Sequence, residues 1–325
     1  MPGASPVDEG FFAQIHGVEQ WITIRGRSLE NPIMMIVPGP GAGICRMAPF
    51  FAPWERDFTI VQWDQPGAGA THANPGSASR IGLSYDRLVT DAIAVVELVC
   101  NKLGVSKLVL LGFSAGTILG LKLIKRRPDL ISAYVGTGQV VNWARQDAVS
   151  YRLILEQARA ANDRAAVAEL ETLGPPPYRN TAMDAVKSKY AGSLTMAEQL
   201  ALASVDPGVF AAMKSAPRHA RYVPKDVELE DIATVALVTY DLLRDEIVAF
   251  DARQLGFEFS CAMFFLQGDL DLFTATAEVE EYAHEITAWH KEFILVKGGG
   301  HSCHLMRDSF LALLNEHVRP ILSGI

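Results

Sequence analysis

The chain has 325 residues, of which 49% are hydrophobic and 20% charged, a composition that suits a folded globular protein of one large domain or two small ones. A formal net charge of -8 without blocks of like charge excludes the basic surface that nucleic acid or anionic lipid requires, so a small molecule or short peptide is the expected partner. Four scattered cysteines, Cys45, Cys100, Cys261 and Cys303, form no CxxC pair, so neither a zinc site nor a disulfide framework is expected, and no metal or cofactor is called for.

The first ten residues carry neither the basic start nor the apolar run of a signal peptide, and no apolar stretch is long enough to cross a bilayer. A cytoplasmic location is therefore expected. After a polar start, residues 19–26 alternate and predict an early antiparallel strand. Residues 33–37 are continuously apolar, as in a strand covered on both faces, and empty into P-G-P-G-A-G at 38–43. A second such strand, 58–63, ends in W-D-Q-P-G-A-G-A-T, which lacks the third glycine of a dinucleotide fingerprint and the lysine of a P-loop. No nucleotide site is expected there. Residues 84–103 predict a helix, with Tyr85, Leu88, Val89, Ala92, Val96, Val99 and Leu103 on one face, Ser84 as its cap and Asp86 in its first turn.

The chain then reads K-L-V-L-L-G-F-S-A-G-T-I-L-G over residues 107–120. A brief apolar run breaks at G-F-S-A-G and resumes with helical spacing as far as Pro128, which places Ser114 on a sharp strand-to-helix turn. Side chains are crowded on such a turn, so Gly112 and Gly116 relieve it, and the hydroxyl stands at the positive end of a helix. Residues 131–135 form the next strand. From 141 to 248 helix follows helix, with Ala148, Tyr151, Leu155 and Ala158 on one face and Val235, Val238 and Leu242 on another, interrupted at 174–178 and 206–208. Strand spacing returns at 261–267, followed by G-D-L-D, a helix over 276–286, a strand over 293–296 and G-G-G-H. An amphipathic helix over 306–321 closes the chain, with Phe310, Leu313, Leu314 and Val318 inward. The expected division is a core of 1–140 and 249–325 with a helical cap inserted over 141–248.

A serine hydroxyl needs a base to take its proton and a carboxylate to orient that base. His301 ends a strand after three glycines and is the candidate base; His304, nearer the last helix, is its rival. Asp271 is the candidate acid, while its neighbour Asp269 suits a turn. The strand before offers Asn142 and no carboxylate until Asp147. Cys303, close to the histidine, reads as an inert buried thiol.

These motifs resemble the α/β-hydrolase superfamily and, within it, the proline iminopeptidase-like branch of serine peptidases. The resemblance rests on Gly39-Pro-Gly, W-D-Q-P-G-A-G from Trp63, G-F-S-A-G, G-D-L-D and the G-G-H at His301, motifs from both ends of the chain. It implies an α/β fold with a mostly parallel sheet, a helical cap, and a triad of Ser114, Asp271 and His301. It also implies an oxyanion hole from the Gly39 and Ala115 amides; Pro38 and Pro40 have no N–H to give. The sequence departs from the family pattern at Val37 and Pro38, at Pro66 in place of an arginine and at Ala115 in place of a tryptophan. Family aminopeptidases hold the substrate amine with carboxylates from or near the cap, and Glu156, Glu169, Asp241, Asp245 and Glu246 are acidic residues there among which spacing does not choose. The leading expectation is an aminopeptidase releasing an N-terminal prolyl or similar small residue through an acyl-enzyme. A carboxylesterase or lactonase is the alternative, and a ligand receptor with residual chemistry the second.

Overall fold

The computed structural model describes residues 5–74, 76–207, 222–224 and 232–322. Its strands are β1 (Val7–Ile15), β2 (Val18–Gly26), β3 (Ile33–Val37), β4 (Thr59–Trp63), β5 (Leu108–Phe113), β6 (Ile131–Thr137), β7 (Ala262–Gly268) and β8 (Lys291–Val296). They form one sheet in the order β1-β2-β4-β3-β5-β6-β7-β8. The pairs β1/β2 and β2/β4 are antiparallel and the others parallel. Residues 5–18 correct the expectation of a polar start: they form β1 and a turn at His16 and Gly17, both with positive φ, which pairs Ile15 with Val18. The edge strand escapes notice because only Val7, Ala13 and Ile15 of its nine residues are buried.

Residues of β3, β4 and β7 are buried throughout, as continuous apolar runs in a sheet covered on both faces should be. One face carries α1 (Tyr85–Leu103) and α2 (Gly116–Arg126). Ser84 accepts from the Arg87 amide at 3.2 Å, which caps α1 as expected, and Gly104 ends it in a left-handed conformation.

Residues 143–248 contain α3 (Trp143–Ala160), α4 (Arg164–Leu173), α5 (Thr181–Ala191), α6 (Met196–Ala203) and α7 (Ile232–Val248), with no strand among the described residues. The segment leaves and rejoins the sheet at one place: Asn142 bridges Asp251, Trp143 donates to the Phe250 carbonyl at 3.2 Å, and Ala252 to that of Val141 at 2.7 Å. Two expected faces are corrected. On α3 Ala148 is exposed, while Ala158 is buried as expected with Tyr151 and Leu155 half-buried beside it, and the buried stripe also takes in Trp143, Asp147, Ser150 and Ile154. On α7, Val238 and Leu242 are exposed and the buried stripe is Val235, Thr239, Leu243 and Ile247. Hydrophobicity alone misplaces both stripes because polar groups in them have partners, Lys187 for Asp147 and the Gly67 carbonyl for Thr239. Of the expected break at 206–208, Gly208 lies outside the described residues.

After the segment, α8 (Thr276–Glu285) buries Val279 and Tyr282 beside α1 and α2. The final helix α9 (Arg307–Leu313) runs on through a π turn, Leu314–Val318, and buries Phe310, Leu314 and Val318 against the opposite face. Leu313, expected inward, is half-buried.

Candidate active site

In an open sheet, ligands bind beyond the carboxyl ends of strands where the order reverses, here between β3 and β5. Gly39 follows β3, Ser114 follows β5, Gly138 follows β6, Asp271 follows β7 and His301 follows β8. Residues far apart in the chain thereby meet.

Ser114 has φ of +53°, a conformation rare for a residue with a side chain and found where the surroundings impose it. Its amide donates to the Thr137 carbonyl at 3.0 Å, and its own carbonyl accepts from the Thr117 amide at 2.9 Å. The crowding expected at the elbow is concentrated at Gly116, where a Cβ would sit 2.2 Å from the Val37 carbonyl oxygen. Only glycine lets α2 start so close to the loop after β3. That loop is held from the other side by Gln65, whose Nε2 donates to the Pro38 carbonyl at 3.0 Å. Gly39 and Ala115 are neighbours, a Cβ on the first lying 3.6 Å from the methyl of the second.

His301 Nε2 lies 2.9 Å from Ser114 Oγ, and Nδ1 lies 3.1 Å from Asp271 Oδ2. A nitrogen facing a carboxylate carries the proton, so Nδ1 donates to Asp271 and Nε2 is free to accept from the serine. Asp271 is buried and also accepts from the Phe273 amide at 2.7 Å, the Thr274 amide at 2.9 Å and Gln267 Nε2 at 2.8 Å. Burial alone would push its carboxyl up, but the His301 ring and the hydrogen bonds from His301 and Thr274 outweigh this and hold it below the usual carboxylate range. Phe273 stacks on the imidazole at 4.7 Å between centroids. Beneath the ring, Gly138 has φ of +54°, and a Cβ there would come within 2.9 Å of His301 Cε1.

The rivals have other places. Asp269 accepts from the Gly298 amide at 2.7 Å and so ties the loop after β7 to that after β8. His304 lies in the short turn Cys303–Leu305, its ring 4.0 Å from that of Phe113, and burial followed by the proximity of His301 pushes its pKa down to about 3. Burial pushes the Cys303 thiol up to about 12, which keeps it protonated and a poor nucleophile.

Above Ser114 opens a cavity of about 590 Å³, walled by Gly39, Ala115 and Phe273 from the sheet side and by Trp143, Asp184 and Tyr240 from the helical segment. The carboxylates singled out in the sequence do not line it. Glu169 pairs with Lys189 and Tyr190 at the surface, Glu246 accepts from the Tyr85 amide at 3.1 Å, and Glu156, Asp241 and Asp245 are exposed. Among the described residues the carboxylate that does line it is Asp184, 8% exposed and 2.7 Å from Arg244 Nε. Sequence reasoning passed over it. Its one local signal is that Thr181, Asp184, Ala185 and Ser188, all in the cavity wall, recur at helical spacing as a small and polar face. Among the described residues no three His, Cys, Asp or Glu side chains converge as metal ligands.

A family model described as serine aminopeptidase, S33, matches residues 30–308. A probable aminopeptidase of Bacillus subtilis (strain 168) is 25% identical over 324 residues, covering 94% of each chain. Among solved structures, a proline iminopeptidase-related protein from Thermus thermophilus superposes with a TM-score of 0.66 at 16% identity, covering 98% of this chain and 100% of the other. A thermophilic esterase from Thermogutta terrifontis does so with a TM-score of 0.59 at 16% identity, covering 98% and 99%.

Proposed function

The chain belongs to the serine aminopeptidase, S33, family of α/β-hydrolases, and on that premise we propose that Ser114, His301 and Asp271 carry its hydrolytic chemistry. The observation behind this reading is the unbroken chain of hydrogen bonds from Ser114 Oγ through both imidazole nitrogens to a buried carboxylate. Ser114 Oγ attacks the scissile carbonyl carbon while its proton passes to His301 Nε2. The carbonyl oxygen becomes an oxyanion that accepts from the Gly39 and Ala115 amides. As the carbonyl reforms, the bond to the leaving group breaks and His301 returns the proton to it, leaving an acyl-serine. Water, deprotonated by the same nitrogen, then releases the acid and regenerates the hydroxyl.

Residues 143–248 act as a cap on this core, inserted where Asn142 and Asp251 lie side by side. The substrate we propose is a short peptide or amide with a free N-terminal amine on a prolyl or other small apolar residue. Asp184 supports this reading, since an ammonium leaving water needs a carboxylate partner and Asp184 is a carboxylate in the cavity wall. An ester substrate is the second reading. It is favoured by the ion pair that Asp184 already makes with Arg244 and by the apolar character of most of the wall.

A matched panel of prolyl and alanyl arylamides, their N-acetylated counterparts and short aryl esters tests both. The aminopeptidase reading expects faster cleavage of the free amines, and Asp184→Asn to raise KM for them by about 10- to 100-fold, the value of a charged hydrogen bond, without raising it for blocked substrates. Equal rates on free and blocked amides reject it, and turnover of esters alone rejects it in favour of the ester.

A further inference from the structure

We infer that Glu198, on the proposed cap, is a positioning residue for His301, so that the cap completes the loop of the base as well as walling the cavity. This rests on the triad assigned above.

Glu198 stands in the first turn of α6, where it closes a capping box: Thr195 Oγ1 accepts from the Glu198 amide at 3.2 Å and Glu198 Oε2 accepts from the Thr195 amide at 2.8 Å. A capping box at a helix start is ordinarily solvated. Here the Glu198 side chain is fully buried, because the start of α6 is pressed against residues 298–300. The second carboxylate oxygen, Oε1, accepts from the amide of Gly300 at 2.8 Å, one residue before His301. Thr195 Oγ1 donates to the Gly298 carbonyl at 2.7 Å, so the box grips the loop at two points. A Cβ on Gly300 would lie 3.0 Å from Thr195 Cγ2 and 3.2 Å from Glu198 Oε2. The glycine before the histidine therefore serves the approach of α6.

The geometry is that of a clamp. Glu198 does not line the cavity above Ser114, and its two oxygens each already hold a backbone amide, so it is not placed to hold substrate. A buried carboxylate that loses such partners is costly, which makes the loop and the helix start rigid together. A displacement of about 1 Å in a reacting group costs roughly 10²-fold in rate, and His301 is one peptide unit from the clamp.

Kinetics of Glu198→Ala and Glu198→Gln, with Asp163→Ala as control, test this. Asp163 caps α4 in the same segment and has its side chain on the Ala166 amide. Glu198→Ala is expected to lower kcat by about 10²-fold with KM nearly unchanged, and to slow labelling of Ser114 by a fluorophosphonate to the same extent. Glu198→Gln keeps an acceptor for Gly300 and should recover most of the loss, to within about tenfold of wild type. Asp163→Ala should lower Tm and leave kcat and labelling unaltered. A Glu198→Ala enzyme that is folded by circular dichroism and labels as fast as wild type overturns the inference, as does a rise in KM at constant kcat, which would make Glu198 a substrate ligand. Failure of wild-type Ser114 to label, or activity surviving Ser114→Ala, overturns the triad itself and is read separately.

Discussion

The sheet and the helical segment above it bury their residues differently. In the sheet, β3, β4 and β7 are buried at every residue, and their apolar side chains fall in two broad clusters. Among its described residues the helical segment has a small apolar cluster of its own, Ile154, Ala158, Ala166, Leu170 and Ala191, and two largely buried ion pairs, Lys187 with Asp147 and Arg244 with Asp184. Apolar burial is non-directional and supplies most of the stability of a fold. A buried ion pair adds little net stability, because desolvation offsets its attraction, but it is directional and intolerant of losing one partner. On the proposed assignment the difference is a division of labour: the sheet carries the reacting groups, while the helices set what faces the substrate and, through Glu198, brace the loop of the base.

The sharpest way to break that division is at the loop after β7, where two aspartates stand two residues apart. Asp271→Asn preserves shape but favours the wrong imidazole tautomer, and kcat is expected to fall by about 10⁴-fold with little change in Tm. Asp269→Asn keeps an acceptor for the Gly298 amide and should cost activity far less. Parallel kinetics and thermal melts decide it, and an exchange of the two phenotypes would remove Asp271 from the site.

In the helical segment the largest effect should be on stability. Lys187→Met leaves the Asp147 carboxyl buried without its cation, where burial already raises its pKa above the usual range despite the lysine. We expect a loss of about 3–5 kcal/mol in urea unfolding, most of it recovered when Asp147→Leu is added. A double variant no more stable than Lys187→Met would show that the pair, unlike the sheet core, has no apolar substitute.

The smallest effect falls where the two regions meet, at His304 in the cavity wall. Its pKa is pushed down to about 3 in the folded protein against an ordinary 6.5, so below pH 6.5 the unfolded chain binds a proton that the folded one refuses. Stability from this group is complete above pH 6.5 and declines as pH falls toward 3. Between about pH 6.5 and 5 the contribution lost is about 2 kcal/mol. His304→Phe should flatten that part of the curve, measured by denaturant unfolding at each pH. An identical slope in wild type and variant would assign the acid sensitivity elsewhere.

Much of this molecule was legible from short stretches of chain. Short apolar runs located β3 to β8, the spacing over 84–103 located α1 and its cap, and glycine-flanked turns put Ser114, Asp271 and His301 at strand ends, where the fold brings them within hydrogen-bond reach. These signals are local, because a strand or helix displays its buried face within a few residues. What tertiary structure alone decided depends on partners far along the chain. The faces of α3 and α7 turn on Lys187 and Gly67, and Asp184 enters the cavity wall beside an arginine sixty residues away. Gly138 is needed because of the ring carried after β8, and the glycine before His301 because of Glu198, over a hundred residues earlier. A polar residue in a sequence shows only that it needs a partner when buried, and the partner is chosen by how the chain folds back on itself.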